Sequence, residues 1–136
     1  MLLRFRPQFR DWSGIRHGSP RPRGAVACDR RYLGRIAPGM LARDVHHLLS
    51  EGLRKRGVTP GGGRLGHGLG TTLTEWPSFT PRDDTPLRAG MVLTLEPGCA
   101  TTGGRIMVHE ENMVLRADGP ELLSPRAPEE LPEIMA

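Results

Sequence analysis

The sequence predicts an α+β domain in which one amphipathic helix precedes a sheet-rich C-terminal half. Two patterns carry that expectation. Leu41, Val45, Leu48, Leu49 and Leu53 recur at helical spacing, whereas "MVLTLEPG" (91–98) and "RIMVHEENMVL" (105–115) alternate with the period of two expected of half-buried strands. A third observation sets the style of the fold: 18 Gly and 13 Pro against 4% aromatic residues point to many loops and few large core anchors. At 136 residues the chain is sized for one domain.

Along the chain, residues 1–33 lack a period and are broken by Pro7, Gly14, Pro20 and Pro22, which predicts a basic, poorly structured segment before a domain over 34–136. Residues 1–35 hold nine of the 19 basic residues against Asp11 and Asp29, so the net charge of +4 belongs to this arm. Its breakers spoil an amphipathic targeting helix, and nucleic acid is not the expected partner of so irregular a basic stretch. Cys28 and Cys99 have neither metal-type spacing nor a disulfide framework, and no apolar run approaches the ~20 residues of a membrane span. Free thiols in a reducing cytoplasm are expected, with no membrane partner.

The helix begins after "IAPGM" and stops at Gly57; His46 and His47, being adjacent, point in different directions and are expected at its surface. "VTPGGGRLGHGLG" reads as a glycine-dense connection, and "TTLTEWPSFTPRDDTPLRAG" as a long loop with one short extended piece. "MVLTLEPG" is a strand ended by Pro97 and Gly98, followed by a strand pair or one long strand with a turn at Asp118-Gly119. "SPRAPEELPEIMA" reads as an irregular tail.

Carboxylates inside these apolar patterns raise the chemical question. In the first strand Val92, Thr94 and Glu96 share one face; in the second, Ile106, Val108, Glu110, Asn112 and Val114 share one face, with Met107, His109, Glu111, Met113 and Leu115 opposite. An ionised carboxylate in a sheet interior costs several kcal/mol unless paired or metal-bound. Together with His67 flanked by Gly66 and Gly68, the pattern suggests a cation site. The plainer alternative is that Glu96 ends its strand at the surface and Glu110 and Glu111 lie on a solvated edge. His109 is expected to be exposed, and Trp76 either lines a cleft or anchors packing.

Four stretches in order, "IAPGMLARDV", "GHGLG", "LRAGMVLTLEPG" and "RIMVHEENMVLRADGPELLS", resemble the pita-bread metallopeptidases: methionine aminopeptidases, Xaa-Pro aminopeptidases, prolidases and the related creatinases. The resemblance covers roughly residues 34–131. It implies the C-terminal portion of a pita-bread fold, a curved antiparallel sheet backed by helices, with a dinuclear centre of manganese, cobalt, iron or zinc. His67 then matches the histidine ligand, Glu96 the glutamate of the "EPG" motif, and Glu110 the bridging glutamate that also serves as catalytic base, with Glu111 as the fallback. The implied reaction is removal of an N-terminal residue or dipeptide by metal-activated water, on a peptide or small amide substrate.

Two departures stand against it. Thr74 precedes Glu75 where many family members carry a second histidine, and a hydroxyl is no substitute for an imidazole as a proton donor near neutral pH. The two aspartate ligands that the family supplies upstream are not found, so the domain is expected to be truncated at its N-terminus or misread there, with three ligands of five and a homodimer or complementing chain as candidate partner. Two other functions follow as alternatives: a non-catalytic binding module, or a creatinase-like hydrolase that uses His67 or His109 as proton carrier without metal.

Overall fold

The computed structural model describes residues 31–60, 63–100 and 106–126. The expectations for residues 1–30, the tail from 127 and Cys28 lie outside the described residues. At the expected domain boundary, Tyr32 and Leu33 are buried in the core, and a 3-10 turn, Leu33–Arg35, leads to buried Ile36.

Helix α1, Ala42–Lys55, follows the predicted stripe: Ala42, Val45, Leu49 and Leu53 are buried and Leu48 packs against them. At its N-terminus the Asp44 carboxylate accepts the Leu41 N–H at 3.3 Å, satisfying one orphan donor. At the other end Gly57 takes φ +70° while its N–H donates to Arg54 O and that of Val58 to Leu53 O. A glycine in the left-handed region is the ordinary device for such a stop.

Among the described residues seven strands follow: β1 Gly66–Gly68, β2 Glu75–Ser78, β3 Val92–Leu95, β4 Gly98–Ala100, β5 Ile106–Val108, β6 Glu111–Arg116 and β7 Gly119–Leu122. Five form an antiparallel sheet in the order β2-β1-β3-β6-β7, and β4 with β5 makes a separate ribbon. Leu93 and Leu95 of β3 lie beside Met113 and Glu111 of β6, and the three apolar members meet the buried residues of α1 in one core with Phe79, Leu65 and Leu87. The helix thus backs one face of the sheet, and the other face carries His67, Thr94 and Asn112 beside Val92 and Val114.

Three local readings are corrected. "RLGHG" is not a connection but contains β1, an interior strand: its glycines hide β-propensity because they are chosen for close approach to neighbouring backbone. The stretch 106–115 is not one continuous face, because the chain leaves β5 and re-enters at β6 with His109 and Glu110 between them. Ile106 and Val108 are accordingly exposed in the ribbon. His46 is half-buried rather than on the open surface; burial, then His47 and Arg54, push its pKa down, opposed by a Gly63 backbone bond.

Beside the end of β2, buried Asp83 accepts the N–H groups of Ser78 at 2.6 Å and Thr85 at 2.8 Å. Burial works to raise its pKa, but bonds from Thr85 and Ser78 outweigh it and hold the carboxyl below the usual value. A depressed folded pKa contributes stability above the unfolded-chain value of 3.8 and loses it as pH falls through the folded value. Asp83→Asn is therefore expected to cost about 1–3 kcal/mol near neutrality. Its deficit relative to wild type should narrow in acid, as read by urea unfolding across pH; a pH-independent deficit would refute the assignment.

Candidate metal-binding face

His67 sits at the centre of β1, 3% exposed, and register places it beside Thr94 of β3, which in turn lies beside Asn112 of β6. One polar row therefore crosses three neighbouring strands on the face away from α1. Its backbone partners demand glycines, since a side chain at Gly66 would strike the Thr94 carbonyl and the Phe79 ring, and one at Gly68 the Trp76 carbonyl.

The imidazole is oriented by its own backbone. Nδ1 lies 2.7 Å from the Gly68 carbonyl oxygen, which can only accept, so Nδ1 carries a proton and Nε2 is the nitrogen left to act as a ligand in the neutral ring. Nε2 faces Glu96, whose Oε1 is 3.5 Å away, close enough for both atoms to reach one ion through bonds of about 2.1 Å. A second ring nitrogen tied to a carbonyl is the usual way of fixing the tautomer of a ligating histidine. The residues present thus fit one divalent cation as a pair of donors.

Glu96, the residue after β3, donates its own N–H to Leu65 O at 2.9 Å, which seats it across from the start of β1. Its carboxylate is 22% exposed; Oε2 accepts Arg64 Nε at 3.4 Å, and Arg64 Nη2 donates to Thr74 Oγ1 at 3.2 Å. Thr74, the residue that replaces the expected histidine, therefore anchors an arginine. Glu75 next to it accepts the Thr72 N–H at 2.9 Å and the hydroxyls of Thr71 and Thr72, and these bonds, the Thr72 backbone first, hold its carboxyl below the usual range.

The two adjacent glutamates separate. Glu110 accepts the buried Thr94 hydroxyl at 3.2 Å and so reaches the His67 face. Glu111 pairs in register with Leu95, on the core face, where it is 2% exposed with His109 Nε2 3.3 Å from its Oε1. His109 is thus buried rather than exposed. Its alternation with Glu110 was legible, but the chain bend that turns it inward was not.

Among the described residues no three His, Cys, Asp or Glu side chains gather closely enough to hold an ion. His67 and Glu96 meet; Glu110 stands next to Thr94. The Asn112 side-chain oxygen is buried without a hydrogen-bond partner among the described residues and adds an unspent acceptor to the row. Sequence reasoning missed Arg64, which sits three residues before His67 with no periodicity to distinguish it.

A sequence profile of metallopeptidase family M24 matches residues 25–117. The Xaa-Pro dipeptidase of Pyrococcus furiosus is 36% identical over 77 residues, which are 54% of this chain and 21% of that protein. Among solved structures, the X-Pro aminopeptidase of Thermotoga maritima is similar with a TM-score of 0.70 and 30% identity, over 78% of this chain and 31% of that one. Dipeptidase PepE of Mycobacterium ulcerans gives 0.72 and 27%, over 81% and 30%. The chain spans about a fifth of that curated relative and under a third of these solved chains.

Proposed function

This chain belongs to metallopeptidase family M24 and has part of its pita-bread fold, and from that premise we propose that it carries one side of a metal-dependent peptidase centre acting at the N-terminus of peptides, Xaa-Pro dipeptides included. The observation that carries the reading is the pairing of His67 Nε2, in a ring oriented by the Gly68 carbonyl, with Glu96 Oε1 at 3.5 Å.

His67 and Glu96 would hold a divalent ion, with Glu110 on the same face as a further donor. Such an ion, when bound, polarises a scissile carbonyl and acidifies water. The chain's own part is positional and proton-carrying. Glu110, steadied by the Thr94 hydroxyl, takes the proton of the attacking water as its oxygen adds to the carbonyl carbon. The same carboxyl then passes that proton to the amine as the C–N bond breaks. Completion of the donor set falls to groups beyond the described residues or to a second chain.

Two observations favour a second reading, a binding module without catalysis: among the described residues only two donors meet, and Thr74 is committed to Arg64. Native mass spectrometry of the full chain with added Mn2+ or Co2+, beside His67→Ala, separates the two. Bound ion that is lost in the variant, accompanied by Xaa-Pro hydrolysis abolished by chelator, supports the peptidase. No bound ion in either chain sinks it in favour of the module. Hydrolysis indifferent to chelator but lost in His67→Ala would point instead to metal-free chemistry.

A further inference from the structure

We propose that Arg64 is a positioning residue that makes Glu96 a one-oxygen donor, an inference that rests on the reading of His67 and Glu96 as holders of a divalent ion. A free carboxylate can rotate and present either oxygen, or both. Here the two oxygens have different neighbours: Oε1 faces His67 Nε2 at 3.5 Å, and Oε2 faces Arg64 Nε at 3.4 Å. The guanidinium is itself held, because Nη2 donates to Thr74 Oγ1 at 3.2 Å. A planar fork with one arm on Thr74 and one edge on Glu96 sets the carboxylate plane in a way that a flexible ammonium does not.

An ion pair of this exposure, 38% for Arg64 and 22% for Glu96, adds little to fold stability. Its effect is to be sought in ligand geometry. Loss of a group that orients a metal ligand costs about 10–100-fold in affinity. The guanidinium charge opposes a nearby dication, but water at this partly exposed site screens that repulsion to a few-fold effect in the other direction. Orientation therefore outweighs repulsion. The same arrangement gives Thr74 a role in this chain: it anchors the arginine that aims the carboxylate.

The test is calorimetric titration of the full chain with Mn2+, for wild type, Arg64→Met, Arg64→Lys, Thr74→Val and His67→Ala, with the visible spectrum of the Co2+ forms recorded alongside. Arg64→Met is expected to weaken Mn2+ binding about 10-fold and to change the Co2+ spectrum, with an unaltered thermal midpoint. Arg64→Lys should recover part of the affinity, and Thr74→Val should lose a smaller part of it. Equal or tighter Mn2+ binding in Arg64→Met, with wild-type binding that still depends on His67, overturns the role of Arg64 alone. Absence of binding in wild type, or binding indifferent to His67→Ala, overturns the metal reading and this inference with it.

Discussion

Gly66→Ala should lower the thermal midpoint by more than about 10 °C, a loss on the order of 3 kcal/mol or more. Two costs add at this position. The residue adopts φ +149°, which side-chain-bearing residues rarely enter. The added methyl would also press on the Thr94 carbonyl and the fully buried Phe79 ring, and neither can retreat: the carbonyl belongs to a ladder and the ring to the core. Against a typical total stability of about 5–15 kcal/mol, little folded protein need remain. Gly34→Ala is the control, since nothing lies within 4 Å of its added atom and its φ is ordinary; it should stay within roughly 0.5 kcal/mol of wild type. A Gly66→Ala midpoint equal to that of the control would mean that β1 does not lie between β2 and β3.

Glu111→Ala is expected to cost about 3 kcal/mol in urea unfolding, whereas Glu110→Gln should cost well under about 1 kcal/mol. The neighbouring glutamates differ in surroundings. Glu111 is buried at the end of β3's core row with His109 against it, so truncation leaves a polar ring facing a hole. Glu110 is exposed and shares a single bond with Thr94, so its removal spares the fold. Metal binding is expected to respond in the opposite sense, falling in Glu110→Gln and surviving in whatever fraction of Glu111→Ala remains folded. Reversal of the two patterns would make Glu111 the ligand and require the β6 register to shift by one residue, since such a slip turns every side chain to the other face.

What could be read from the sequence divides along physical lines. Helix α1 was legible because burial of one stripe imposes a 3.6 period on Val45, Leu49 and Leu53. Strand β3 was legible because its alternation separates Leu93 and Leu95 from Thr94 and Glu96, and this alone put Glu96 on the polar side. Strand β1 left no such trace: two of its three residues are glycines, selected for the nearness of other backbones rather than for strand preference. The bend at His109 and Glu110 was silent for a different reason. Alternation runs on unbroken through it, while the partners change from β4 to β3. Pattern matching across the bend put Glu110 on the face of Ile106 and Val108, yet its bond to Thr94 is what brings it to His67.

The two restraints on His67 have different reach along the chain. Its proton is placed by a bond to the next residue's carbonyl, a contact that needs only local backbone shape. Its partner Glu96 arrives from 29 positions away, and only once the β1–β3 ladder has closed. A chain whose sheet has loosened can therefore keep an imidazole with the correct nitrogen bared while its carboxylate drifts out of range. For the ion proposed at His67 and Glu96, partial unfolding would then degrade a chelate to a single weak donor before abolishing it, so metal occupancy should fail at lower denaturant than helix content.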